Sequence, residues 1–419
     1  MQSKDKLLVS IMVFALVILA LPSVLKAEKN NSHSLLVSSS QSIQQAINNA
    51  MDGDVILIQN GIHIEENYPV IVNKSVTLTG QNTDETIIEG RGTNKGIFLV
   101  KAHSVRIFNL TVQNTTKSLG SFGIHLFNVR NIEIANCTIR KCESGLLLTN
   151  STDDDITRNR VVDNLSVGIY LHQKSSGNTI IGNNISGNPT GIQIVDLSCQ
   201  NNVIYYNNFI NNTNQQIDYG TANKWDNAYP SGGNYWSNHD CTDTLKGPDQ
   251  NITGSDGIAD ISYMDLDTYP LTMPICFFYL YRWNQNDYYT TIVSNSTISD
   301  FYFDPNVSMF IIFNVTGVDG TEGFCRVTIP KNVLWVEGGD QWIIKVNETN
   351  LDNPLIMNDD INTYFYFGYN HSTQTIQIIG TSVVPEFSTF STLMLLALFS
   401  AGFILTVKLK HKNSFPHCN

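Results

Sequence analysis

The residues that could bind a ligand recur along the chain at nearly constant spacing. A Gly followed by Ile or Leu occurs five times between Gly96 and Gly191, at intervals of 27, 22, 23 and 23 residues. Side chains alternate along a strand, so if the residue after each Gly points inward, the next residue points outward. Such a partly aromatic column could stack on the faces of sugar rings, and a loop packed over it is the alternative. The candidate ligand-binding column is Phe98, His125, Leu147, Tyr170 and Gln193.

Carboxylates are the second type of group that could take part in catalysis. Hydrolysis of a glycosidic bond needs a pair of them close together. Asp153–Asp155 is more typical of a solvated acidic turn than of a catalytic site. The outward carboxylates counted in the repeats are scattered single residues, which favours binding over catalysis, and no catalytic residue is assigned. These single residues are Glu133, Asp163 and Asp196.

A glycine-containing segment near residue 250 carries several oxygen ligands of the kind that Ca²⁺ prefers. Its spacing does not match that of an EF-hand loop. The chain contains no C-x-x-C motif, which argues against a thiolate metal site. The candidate calcium ligands are Asp249, Asn251, Asp256 and Asp260.

Length and charge limit the classes of protein that need consideration. The 419 residues exceed what a single hydrophobic core usually supports. Residues 28–380 contain 19 Lys and Arg against 35 Asp and Glu, a net charge of −16. A nucleic-acid binder that works through a basic face is therefore excluded. Asn makes up about one residue in nine, which is unusual in globular proteins and is typical here of a β-rich repeat protein.

The N-terminus predicts export. Lys4 and Lys6 precede an apolar run over residues 7–21, and a stretch of small residues ends at Ala27. This order is that of a secretory signal peptide over residues 1–27, and an uncleaved N-terminal anchor is the alternative.

The C-terminus predicts a membrane anchor. Residues 390–407 are uncharged and precede three lysines, so they are long enough to span a bilayer with the basic tail in the cytoplasm. The motif Pro385-Glu386-Phe387 before this span resembles the PEF-type sorting signal of archaeal surface proteins. The resemblance implies an archaeal cell surface and an archaeosortase as a processing partner. Residues 28–380 would then face outward.

The outward part contains fifteen N-x-S/T sequons, so surface glycosylation is expected. Its six cysteines could form disulfides in an oxidising compartment, and fifteen pairings are open. The candidate glycosylation sites are Asn109, Asn114, Asn150, Asn164, Asn211 and Asn295.

The period of 22–27 residues indicates a solenoid. Leucine-rich repeats share this period but need a helical segment in each repeat. Each period here contains two or three short β-branched runs separated by Asn and Gly, which suit strands and left-handed corners. We therefore predict an all-β chain with a right-handed parallel β-helix, in which Asn residues at equivalent corners stack into ladders.

Three segments before the coils carry a family resemblance. Ser42–Ile47 reads S-I-Q-x-A-I and predicts a capping helix, Val72–Gly80 reads V-x-K-S-V-T-L-x-G, and Thr86–Gly90 reads T-I-I-x-G. This order is similar to that of NosD-like β-helix proteins within the pectin-lyase-like group. The family name implies a role in assembling the copper site of nitrous oxide reductase. Copper is nevertheless not expected, because His125 and His172 would lie two coils and roughly 9–10 Å apart.

The chain after the coils divides into two further parts. Residues 221–275 are predicted to cap the solenoid, with Trp225 and Trp236 covering its apolar end or forming a sugar-stacking platform. Residues 276–380 alternate short strands with turns and resemble an Ig-like β-sandwich stalk. The predicted order is a signal peptide, β-helix (28–220), cap, sandwich, and sorting segment (381–419).

These features predict a cell-surface protein anchored in the membrane that binds polysaccharide or surface glycans, or has a structural role, without catalysis of its own. The alternative is a polysaccharide hydrolase or lyase that acts on the β-helix face.

Overall fold

The computed structural model describes residues 33–283, 286–305, 309–338 and 341–383. Within this part of the chain, no helix is both long and apolar enough to cross a membrane. Three predicted features lie outside the described residues: the signal peptide, the Pro385-Glu386-Phe387 motif and the C-terminal span.

The described residues form two compact units. The coil unit contains residues 33–202 and 211–223, and the cap–sandwich unit contains residues 203–210 and 224–383.

The coil unit is a right-handed solenoid of parallel strands in three sheets. The first sheet contains Ser34–Val37, Val55–Ile58, Thr77–Gly80, Arg106–Phe108, Glu133–Ala135, Asp155–Thr157 and Thr179–Ile181. The second sheet contains Val70–Val72, Gly96–Val100, Phe122–Phe127, Ser144–Thr149, Val167–His172, Thr190–Ile194 and Asn214–Asp218. The third sheet contains Gly61–His63, Thr86–Thr93, Thr111–Thr115, Thr138–Arg140, Arg160–Val162 and Asn184–Ser186. The predicted parallel β-helix is confirmed.

A short helix, Ile43–Asn49, precedes the coils as predicted. Ser42 caps its N-terminus by accepting a hydrogen bond from the Gln45 amide. Ile43 and Ile47 are fully buried, which is the apolar face that the sequence pattern indicates.

The predicted Asn ladders are present inside the coil unit. Each corner has a residue of positive φ followed by an inward side chain, as at Asp163 (φ 53°) and Asn164. The Asn164 amide donates to Asn188 Oδ1 (3.0 Å), and the Asn188 amide donates to Asn212 Oδ1 (3.0 Å). Each buried amide side chain therefore satisfies backbone groups of the adjacent coil. A second corner of the same kind has Asp154, Asn178, Asn202 and Asn223.

The repeated glycines stand where the backbones of neighbouring coils come closest. A Cβ atom on Gly145 would lie 2.6 Å from the Gly168 carbonyl oxygen, and one on Gly168 would lie 2.6 Å from that of Gly191. Glycine therefore occupies the second position of these strands of the second sheet for a steric reason.

The cap–sandwich unit begins with short strands. These are Val203–Tyr205, Asn208–Ile210, Tyr235–Trp236, Leu245–Lys246 and Ile252–Thr253.

Two five-stranded antiparallel sheets follow, and residues of both form one hydrophobic core. One contains Ile275–Trp283, Asn286–Ser294, Glu322–Pro330, Asn362–Asn370 and Leu355–Asn358. The other contains Thr297–Asp304, Phe310–Thr316, Gln374–Ile379, Ile343–Val346 and Thr349–Asn350, and a short pair joins Leu334–Trp335 to Ser382–Val383. This is a sandwich, and its Ig-like character stays a prediction.

Candidate functional site

The outer face of the second sheet carries most of the predicted column. His125 pairs with Leu147, Leu147 with Tyr170, and Tyr170 with Gln193 in successive strands. All four side chains are half-buried, so each keeps part of its surface open to solvent. They form a row with one residue in each coil, as the repeat predicts.

Phe98 does not belong to this row, and the prediction that it faces outward is wrong. Its side chain is fully buried, and it pairs with the inward residue Ile124. Leu99 is the residue that pairs with His125 and is half-buried on the outer face. The cause is the register: Gly96 pairs with Phe122 and not with Gly123, and a shift by one residue exchanges the two faces of a strand.

Polar groups surround Tyr170. The His172 imidazole stacks with the Tyr170 ring at a centroid distance of 5.9 Å and an interplanar angle of 17°. Burial, followed by the negative charges of Glu143 and Asp196, raises the pKa of the Tyr170 phenol. An aromatic face and an imidazole therefore lie side by side at this point of the row.

His125 contributes packing and one hydrogen bond. Its ring meets Phe122 and Phe127 edge-on at centroid distances of 4.8 and 5.5 Å, and Nε2 lies 2.9 Å from Thr149 Oγ1. Burial and the charge of Lys101 lower the pKa of His125 to about 4. The imidazole is therefore neutral near pH 7.

The first sheet carries a carboxylate pair that the sequence reasoning missed. Glu133 and Asp155 are paired in neighbouring parallel strands, so they are not scattered singles or part of a mere acidic turn. Arg106 pairs with Glu133 from the preceding coil, with Nε 2.8 Å from Oε2. Burial and the charge of Glu133 raise the pKa of Asp155. The spacing of 22 residues between the two carboxylates equals one coil and could have revealed the pair.

Two of the four candidate calcium ligands, Asp256 and Asp260, already accept hydrogen bonds from backbone amides. Asp256 accepts hydrogen bonds from the Gly247 and Ile258 amides (both 3.1 Å), and Asp260 accepts from the Leu245 amide (3.0 Å). Asp249 and Asn251 are exposed. The carboxylates of Asp256 and Asp260 thus hold the backbone of the cap, and a calcium site at these residues stays a prediction.

The two histidines that could bind copper belong to different coils. His125 and His172 lie on strands separated by Ser144–Thr149. Within the described ranges, no group of three His, Cys, Asp or Glu side chains could hold a metal ion. The described residues therefore do not fit a copper centre.

The two tryptophans of the cap are interior residues. Trp225 and Trp236 are 1% and 0% exposed. Trp236 stacks between Phe209 (4.2 Å) and Tyr263 (4.1 Å), and its Nε1 donates to Asp267 Oδ2 at 2.8 Å. The rings therefore fill the core of the cap–sandwich unit and are not a surface platform for sugars, so that alternative is wrong.

Burial also separates the candidate glycosylation sites. Asn164 is 3% exposed, and its side-chain amide donates to the Ile139 carbonyl (3.2 Å), so the prediction of a surface site there is wrong. The remaining candidates are partly or fully accessible: Asn109, Asn114, Asn150, Asn211 and Asn295. The six described cysteines are free thiols, and four of them are buried.

Comparison with known proteins supports the fold of the coils. Residues 37–241 match the family model NosD, described as "Periplasmic copper-binding protein (NosD)". No curated protein matches the chain.

Several solved structures are similar at low identity. Pectate lyase Pel9A is 15% identical over 49% of this chain and 59% of its own, with a TM-score of 0.38. Alginate lyase from Paenibacillus sp. str. FPU-7 is 16% identical over 49% and 77%, with a TM-score of 0.32. Pectin methylesterase PemA from Erwinia chrysanthemi is 12% identical over 42% and 71%, with a TM-score of 0.29.

Proposed function

We propose that this chain is an exported cell-surface protein that binds glycans through the outer face of its second sheet. The observation that carries the proposal is the half-buried row His125, Leu147, Tyr170 and Gln193, with the His172 ring stacked beside Tyr170. Aromatic and aliphatic side chains in one row suit the apolar faces of consecutive sugar rings. A parallel solenoid repeats such a row at about 4.8 Å per coil, so an extended chain can follow it.

The polar groups beside the row match the hydroxyls of a sugar. Glu143 precedes strand Ser144–Thr149 and Asp196 follows strand Thr190–Ile194 of the same sheet, and their charges contribute, after burial, to the raised pKa of Tyr170. Carboxylates accept strong hydrogen bonds from hydroxyl groups. The nearby negative charges favour neutral sugars over acidic ones at this position, because two carboxylates would repel a uronate.

Export is supported by the family description, in which NosD is a periplasmic protein. The archaeal surface, the membrane anchor and the archaeosortase step belong to the proposal through the C-terminal motif alone. Copper-site assembly is not part of the proposal, since no group of three His, Cys, Asp or Glu side chains among the described residues could hold a metal ion.

The proposal is tested with the full-length chain and three probes: cellohexaose, chitohexaose and hexagalacturonate. Isothermal titration calorimetry measures Kd for the wild type and for Tyr170→Ala. We expect a neutral hexasaccharide to bind, and the substitution to weaken binding at least tenfold, since the stacking face is lost. Phe108→Ala is the matched control, because Phe108 is a half-buried aromatic residue of the same unit that lies in the first sheet, away from the row. Unchanged affinity in Tyr170→Ala would show that the row is not the site.

A second candidate function is hydrolysis of a glycosidic bond, and the paired Glu133 and Asp155 favour it. A general acid needs a raised pKa, which burial and Glu133 give to Asp155. The Arg106 Nε atom lies 2.8 Å from Glu133 Oε2, so a cation stands beside the second carboxylate of the pair. Most glycosidases use two carboxyl groups, one as the general acid and the other as the base or nucleophile.

This candidate is separated from binding alone by assaying reducing ends released from the same three probes. If the pair is catalytic, wild type forms product, and Glu133→Gln and Asp155→Asn each lower the rate at least a hundredfold. Asp163→Asn, an exposed carboxylate of the same unit, should keep the full rate. Binding without product would leave the glycan-binding function alone.

A further inference from the structure

The sandwich contains a cleft that no part of the proposed function uses. Its volume is about 620 Å³, and its walls include Trp335 and Trp342 together with Ile356. Ligand pockets of this size commonly combine aromatic walls with a few polar groups. The described residues around it belong to the sandwich alone, so the cleft is a feature of that part of the cap–sandwich unit.

Both tryptophans are held by their surroundings while part of each stays accessible. Trp342 packs edge-on against the buried Phe365 ring at a centroid distance of 4.9 Å. Trp335 lies in the short strand paired with Ser382–Val383, and its Nε1 donates to Glu337 Oε1 at 3.3 Å. Each indole is half-buried. Rings fixed in this way lose little conformational entropy when a ligand stacks on them.

The polar groups of the cleft are amides, a hydroxyl and one cation. Asn332 and Asn358 are exposed, and Asn358 Oδ1 accepts a hydrogen bond from Thr363 Oγ1 at 3.0 Å, which orients its amide. Lys331 is held over the Asp359 carbonyl. Among the described lining residues there is no carboxylate. The side-chain amide of an asparagine can donate a hydrogen bond to one sugar hydroxyl and accept one from its neighbour. The lysine ammonium group can only donate.

We propose that this cleft is a second glycan-binding site, which takes one or two pyranose rings of an oligosaccharide. The indole faces cover the apolar side of the ring, and the amides of Asn332 and Asn358 bind its hydroxyls. Lys331 distinguishes this cleft from the row beside Tyr170, and the carboxylate of Glu337 is engaged by the Trp335 indole and is not among the lining residues. A sugar that carries a carboxylate is therefore bound more tightly here than its neutral counterpart.

The site is tested in the full-length chain by following tryptophan emission during titration with hexagalacturonate and cellohexaose. Trp225 and Trp236 are fully buried, so a change in emission on binding reports the accessible indoles. We expect hexagalacturonate to shift the emission and to bind more tightly than cellohexaose. Trp342→Phe should weaken this binding about threefold to tenfold, and Lys331→Ala should remove the preference for the acidic sugar.

Trp283→Phe is the matched control, because Trp283 is a half-buried tryptophan of the same sandwich outside the cleft. Tyr170→Ala should leave the emission change intact, which separates this site from the row in the coil unit. Circular dichroism melting of Lys331→Ala, a change at a partly exposed side chain, checks that the fold is kept. The proposal is overturned if neither sugar alters the emission, or if Trp342→Phe and Lys331→Ala bind hexagalacturonate as the wild type does.

Discussion

Asp154 carries a buried carboxyl group at a corner where the following coils have asparagine. It is 0% exposed, its Oδ1 accepts from the Ile132 amide (2.9 Å), and its own amide donates to Asn178 Oδ1 (3.1 Å). Burial is the largest cause that raises the pKa of Asp154 from 3.8 to about 7. The protonated acid resembles the asparagine side chain, with one acceptor and one donor.

We predict that Asp154→Asn stabilises the coil unit near pH 8 and has little effect at pH 4. A carboxyl group whose pKa is higher in the folded state stabilises the fold below pH 3.8 and loses this contribution as the pH rises towards 7. The amide cannot ionise, so the gain at pH 8 is on the order of 4 kcal/mol, from a pKa raised from 3.8 to about 7. Urea unfolding at both pH values measures it.

Asp163→Asn is the control for this change, since Asp163 is an exposed corner residue of the same coil unit. Its substitution should alter the free energy of unfolding by less than about 0.5 kcal/mol. An equal gain from Asp154→Asn at pH 4 and pH 8 would contradict ionisation as the cause.

The elements of the coil unit are connected through the asparagine ladders. Asn188 Oδ1 accepts from the Asn164 amide (3.0 Å), while Asn188 Nδ2 donates to the Val161 carbonyl (3.0 Å) and to Asn212 Oδ1 (2.9 Å). One side chain thus serves two backbone groups of the preceding coil and the Asn212 side chain of the following coil. An unsatisfied buried backbone group costs about 1–3 kcal/mol.

Asn188→Ala should therefore destabilise the coil unit by about 2–4 kcal/mol, because the Asn164 amide and the Val161 carbonyl lose their partner in a dry interior. The measurement is the free energy of unfolding in urea. Asn184→Ala is the matched control in the same coil, where the side chain is half-buried on the outer face. Similar losses in both variants would mean that the ladder adds nothing beyond ordinary packing.

Gly168→Ala tests the close approach of the coils. The new Cβ would lie 2.6 Å from the Gly191 carbonyl oxygen, and backbone atoms of a stacked coil cannot move as a flexible side chain can. We expect a loss of about 2 kcal/mol or more in the free energy of unfolding. Gly368→Ala is the control, since its Cβ would meet the nearest atom only at 3.5 Å, an ordinary contact. A neutral Gly168→Ala would show that the coils can separate locally.

The repeat carried enough information to predict the solenoid and its ladders, because one spacing controls strands, corners and inward Asn residues together. The face of a single strand was harder to predict. Phe98 follows Gly96 in the same motif as His125 follows Gly123, yet the register differs by one residue. That difference depends on how neighbouring coils pair, which is a contact between distant residues and not a local preference.

The carboxylate pair was missed for a related reason. Asp153, Asp154 and Asp155 are adjacent in the chain, so the sequence alone indicates one acidic turn. In the fold, Asp154 points into the core and Asp155 lies on the outer face beside Glu133. Successive residues of a strand point in opposite directions, so adjacent acids of one turn have different roles.

At the scale of the whole molecule, Arg326 connects the cap to the sandwich within the cap–sandwich unit. It belongs to strand Glu322–Pro330, is 2% exposed, and donates from Nη1 to the Asp256 carbonyl (2.5 Å) and from Nη2 to the Ser231 carbonyl (3.2 Å). The guanidinium also lies 5.4 Å from the Tyr364 ring centroid. One buried cation therefore satisfies carbonyl groups of two separate cap segments.

We predict that Arg326→Met destabilises this unit by about 2–4 kcal/mol, because the flexible thioether fills the space while the carbonyls of Asp256 and Ser231 lose their donors. The cap should loosen first, so proteolytic cleavage between residues 230 and 256 should become faster than cleavage within the sandwich strands. Arg282→Met is the matched control: Arg282 is exposed, and its Nε lies 3.7 Å from Asp287 Oδ1, a geometry that contributes little. The prediction is contradicted if Arg326→Met has the urea midpoint of the wild type and its cap is cleaved no faster. In that case the aromatic core around Trp236 holds the cap, and Arg326 is not needed for its attachment.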